Sequence, residues 1–148
     1  KIIGNLPGLL SGLVCAGANK PAAEGRDDGY LTAEEVGWLD LSNADLVVLS
    51  ACETGLGRAQ AGEGLLGLRR AFRTAGADTV ISSLWQVKDE STSELMQMFY
   101  ENLWLEDMGT HAALRRAQLD MLNANRRANA NDPRPSTWGA FVLDGDWR

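Results

Sequence analysis

The chain has 148 residues, 45% of them apolar, which suits one globular domain with an ordinary core. Its net charge of −6, with basic residues scattered or in isolated pairs such as Arg69-Arg70 and Arg126-Arg127, argues against nucleic acid as a partner. No window approaches the ~18 consecutive apolar residues of a membrane span, so no membrane role is expected.

Along the chain, residues 11–18 (SGLVCAGA) read as a short strand, and residues 19–29, polar with Gly and Pro, as a surface loop. Thr32-Ala33-Glu34-Glu35 has the T-x-x-E form of a capping box and predicts a short helix over 33–38. Leu46 to Ala51 is a continuous apolar run, as in a parallel strand covered on both faces. Leu65, Leu68, Phe72 and Ala75 recur at helical spacing, and Gly76 supplies the stop. Thr79–Trp85 (TVISSLW) predicts a second strand, and Asp89–Trp104 a helix whose Met and aromatic positions are core. Thr110 caps a further helix with Leu114, Ala117 and Met121 inward. Residues 124–135 read as a polar loop, and Trp138–Leu143 as a last strand.

Such alternation predicts an α/β domain with a mainly parallel sheet and helices on both faces. In these sheets ligands bind beyond the carboxyl ends of the strands. Cys52, in LVVLSACETGLG, stands at one such end, and Trp85 to Asp89 at another. A nucleophilic cysteine needs a base or cation to form thiolate, and donors for the oxyanion. Gly55 and Gly57 would let a substrate backbone approach, and the Cys52 N–H could donate to the oxyanion. Nothing in the stretch supplies a base, and a buried structural thiol fits the same pattern. The single histidine, His111, reads as a surface residue at a helix start. One histidine cannot complete a Cys/His zinc site, so no metal or cofactor is expected. Cys15 reads as inert core. Two cysteines make no disulfide scaffold, no leader is recognisable, and the expected compartment is cytoplasmic.

LVVLSACETGLG, AGEGLLGLRRAFRTAGADTVISSLWQVKDESTSELMQMFYENL, ALRRAQLDML and WGAFVLDGD, in that order, resemble the CHAT domain from about Ser11 to the end of the chain. These are caspase-like cysteine peptidases often attached to tetratricopeptide repeats. The resemblance implies a caspase/separase-like three-layer sandwich, incomplete here at its N-terminal side. It puts the nucleophile on Cys52 and implies a protein or peptide substrate and an N-terminal repeat domain. The family's histidine lies in an earlier His-Gly segment that has no counterpart here, and His111 does not match it. As Lys1 rather than Met opens the sequence, the expectation is the C-terminal part of one CHAT domain over 1–148, inactive by itself.

By similarity to separases, Asp89 in W-x-V-x-D lines a pocket for a basic residue before the scissile bond; capping of the following helix explains it equally well. Trp85 walls the same pocket or closes the core. Glu53 orients the turn after the nucleophile with Thr54; direct catalysis by it is not expected, because a neighbouring carboxylate disfavours thiolate. Two other classes stay open: a non-catalytic caspase-like interaction module, and a phosphate-binding α/β domain using Gly55, Gly57 and Gly62. For the latter, the spacing of a P-loop or dinucleotide fingerprint is lacking.

Overall fold

The computed structural model describes residues 11–20, 28–50, 61–128 and 135–146. Strands β1 (Gly12–Val14) and β2 (Tyr30–Thr32) form an antiparallel pair, Gly12 opposite Thr32. The first strand is shorter than the expected 11–18, because the chain turns at Gly17 with φ of 104°. Cys15 therefore sits just past the strand, and it is exposed rather than core. Its N–H donates to the Gly29 carbonyl at 2.7 Å. Strand β2 leaves no pattern in the sequence, since three residues are too few to show a period.

Helix α1 (Ala33–Val36) starts at the capping box. The Thr32 hydroxyl accepts from the Glu35 N–H, and the Glu35 carboxylate accepts from the Thr32 N–H at 2.7 Å. It ends two residues earlier than expected, at Gly37, which leaves Trp38 on the surface.

Strands β3 (Val47–Leu49) and β4 (Thr79–Ser83) run parallel, Val47 opposite Val80 and Leu49 opposite Ser82. Helix α2 (Ala61–Thr74) crosses between them, and Gly76 stops it at φ of +112°. A Cβ there would also come within 2.8 Å of the Ser42 backbone nitrogen, so the stop and the preceding turn need glycine together.

Helix α3 (Asp89–Trp104) has the predicted bounds, and α4 (Thr110–Ala128) buries Leu114, Ala117 and Met121 as its spacing predicts. The expected loop at 124–135 is helical to Ala128. Asn125 is held there by its amide, which donates to the Thr137 hydroxyl at 2.8 Å. Arg126 and Arg127 suit the negative end of the helix. A short helix α5 (Pro135–Trp138) follows, and the last strand, β5 (Phe141–Gly145), begins three residues later than expected.

Strand β5 pairs antiparallel with β4, so the described sheet, ordered β3-β4-β5, is mixed rather than mainly parallel. All five β4 residues are buried. Alternate side chains of a strand face opposite ways. Val80 accordingly joins Val36, Leu68 and Phe72, while Ile81 joins Leu95, Phe99, Leu114 and Met121. Apolar cores therefore lie on both faces, with α1 and α2 on one side and α3 and α4 on the other. Each fully buried large side chain contributes about 1.5–3 kcal/mol relative to exposure. Arg69 of α2 reaches Asp144 of β5 at 3.2 Å across the sheet end.

Candidate functional site

Parallel β3 and β4 end on one rim. β3 stops at Leu49, and exposed Ser50 follows. Cys52, Glu53, Gly55 and Gly57 come next in sequence and lie outside the described residues, as do Thr54 and Arg58.

From β4 the chain leaves the rim through Leu84, whose N–H donates to the Ala140 carbonyl at 2.7 Å. Val87 is buried with Ile81 and Leu95, and this single apolar anchor holds the 84–88 connection to the core. Around it Trp85, Gln86, Lys88 and Asp89 stand out to solvent. Trp85 is 39% exposed, and its indole N–H makes a long contact, 3.4 Å, to the Ser136 carbonyl. The ring thus spans the rim from β4 to α5.

Asp89 is exposed and is the first residue of α3. The N-cap position belongs to Lys88, and no side-chain capping bond is made. Asp89 and Glu90 instead place negative charge in the first turn, where the helix dipole favours it. Such a carboxylate, on a rim and free of a local capping bond, can accept from a cationic side chain.

Sequence reasoning did not single out Ser82 and Ser83. Both are buried at the end of β4, and neither hydroxyl has a hydrogen-bond partner among the described residues. An unmet buried hydroxyl costs about 1–3 kcal/mol. The available signal was two consecutive polar residues closing a strand otherwise buried on both faces.

His111, the second residue of α4, is exposed and lies at the opposite end of the sheet. Thr110 shares a groove with Asp45 and Leu46, which precede β3. The Gln118 amide donates to the Phe141 carbonyl at 2.8 Å, and Phe141 faces Ser83 at the rim. Helix α4 therefore runs along the sheet toward the rim, with His111 at its far end.

A family model for the CHAT domain matches residues 5–146. This chain belongs to the CHAT domain family. That family is caspase-like and peptidase-related. Tetratricopeptide repeat protein 28 of Mus musculus is 35% identical over 115 residues, and its Homo sapiens counterpart 34% over 116. Each alignment covers 78% of this CHAT chain, which spans only 4% of the length of either relative. Both relatives carry tetratricopeptide repeats in their names, as the resemblance implied of the family. No described helix of this CHAT domain is long and apolar enough to cross a membrane.

Proposed function

We propose that this chain is the nucleophile-bearing portion of a Cys/His endopeptidase of the caspase/separase type, which cleaves after a basic residue. Cys52 is the nucleophile, on a three-layer fold that other parts of the full-length protein complete. What carries the reading is the SACETG segment, directly after a strand that ends on a rim shared with the W-x-V-x-D segment. Asp89 accepts the Arg or Lys side chain before the scissile bond, and Trp85 flanks it. Their exposure on that rim supports the assignment.

In the reaction, a histidine takes the thiol proton as Cys52 Sγ bonds to the scissile carbonyl carbon. The Cys52 N–H donates to the oxyanion. The C–N bond breaks as the imidazolium protonates the departing amine, and water then hydrolyses the thioester. His111 stands at the wrong end of the sheet for this, so the base is assigned to a histidine elsewhere in the full-length protein.

The test is cleavage of fluorogenic peptides by the full-length protein. Cys52→Ser should lower turnover by about 10³-fold or more. Asp89→Asn should remove the preference for Arg or Lys over a neutral residue while leaving the fold intact. Unchanged turnover in Cys52→Ser overturns the reading. The remoteness of His111 favours one competitor, a non-catalytic module that binds partners on the same rim. It predicts no Cys52-dependent cleavage at all, with partner binding unaffected by Cys52→Ser.

A further inference from the structure

The rim that carries Trp85 is bordered by the single turn of α5, Pro135–Trp138. A helix of one turn is not stable by itself, since the cost of nucleating it is not recovered. What holds α5 in place must therefore come from outside it. Trp138 packs on the core that contains Ile81, Phe99 and Phe141, but its buried indole N–H has no partner among the described residues, so the ring adds contact without a directed bond. The Gly139 N–H donates to the Pro135 carbonyl at 2.8 Å and closes the turn. A Cβ at Gly139 would stand 3.1 Å from the Pro135 Cβ, so the turn is tight. The directed tie to the helical layer is the Asn125 amide of α4, which donates to the partly buried Thr137 hydroxyl at 2.8 Å.

Two bonds carry that placement to the rim. The Leu84 N–H donates to the Ala140 carbonyl at 2.7 Å, and the Trp85 indole N–H reaches the Ser136 carbonyl at 3.4 Å. Residues 84–88 belong to no strand or helix and have one buried apolar anchor, Val87. The orientation of the half-exposed Trp85 ring therefore depends on where α5 stands. A contact of 3.4 Å is already at the long end for a hydrogen bond, so a small drift of α5 is enough to break it.

We propose that Asn125 and Thr137 are positioning residues for the pocket that receives the basic side chain of the substrate. Their bond fixes α5, α5 holds the Ser136 carbonyl against Trp85, and Trp85 walls the pocket. The inference rests on the peptidase reading above and extends it to two side chains that act on substrate only through Trp85.

The test is steady-state cleavage, by the full-length protein, of a fluorogenic peptide with Arg before the scissile bond. Thr137→Val keeps the shape of the side chain and removes the hydroxyl. It should raise KM about three- to tenfold, as loss of one neutral hydrogen bond does, with kcat within about twofold of the parent. Asn125→Ala should do the same, and carries the test if Thr137→Val does not fold. Thr137→Ser keeps the acceptor and should retain the parent KM. In a Trp85→Ala background neither variant should raise KM further, because the residue they act through is gone. A bond that serves stability alone would add to Trp85→Ala instead. Cys52-dependent cleavage with KM unmoved in Thr137→Val and Asn125→Ala overturns this inference and leaves the peptidase reading standing. So does a KM shift that persists in full without Trp85. A parent protein that shows no Cys52-dependent cleavage overturns both together.

Discussion

Asp40 accepts from the Ser42 hydroxyl at 2.7 Å and from the Ser42 N–H at 3.1 Å. These bonds, the hydroxyl first, hold its carboxyl below the usual carboxylate range. A lowered folded-state pKa favours the fold above the unfolded pKa, and that contribution is lost as pH falls through the folded value. In an NMR titration Asp40 should protonate below an ordinary aspartate, and Ser42→Ala should move it back up. An unmoved midpoint in that variant would assign the shift to something other than the hydroxyl. The small turn matters because it leads into β3. The Leu41 N–H donates to Ala75 O at 2.8 Å and the Asp78 N–H to Ala44 O at 3.0 Å, so the turn joins the end of α2 to the start of the sheet.

At the scale of elements, α3 divides its labour by face. Leu95 and Phe99 are fully buried against Ile81 and α4, while Tyr100 and Trp104 turn toward the groove that Thr110 shares with Asp45. Phe99→Ala should cost about 3–5 kcal/mol in a denaturant titration, whereas Trp104→Ala should stay within about 0.5 kcal/mol. A large loss in Trp104→Ala would make its stack on Tyr100 part of the core. Helical spacing predicts core for all the aromatics of 95–104, and Trp104 departs from it, 71% exposed. Helical spacing marks where a face points, but not whether another element covers it. The readable elements had strong local chemistry: the capping box of α1, the Gly76 stop of α2, and the β-branched run of β4. Those that slipped, β2, α5 and the ends of α4 and β5, are set by tertiary bonds such as Asn125 to Thr137. The rim was legible from two strand ends. Cys52 stands out as a nucleophile through family likeness, since composition and spacing alone favour a buried structural thiol.

Across the molecule, β4 is the shared wall of two cores, giving Val80 to one and Ile81 to the other. Small domains built this way unfold as one unit. Hydrogen exchange on the full-length protein should therefore show α2 and α3 losing protection together in Val80→Ala. Loss confined to α2 would mean two independent cores. The alternation of elements predicted the layering, but not the antiparallel last pair, because strand direction is decided by where the chain re-enters the sheet. That re-entry has a consequence in time. The central strand has its second neighbour only after α3, α4 and α5 have been made. At ~5–20 residues per second of synthesis, one edge of β4 waits several seconds for β5. A nascent chain is most vulnerable to wrong pairing during that interval, and a chaperone acting on this domain has its task there.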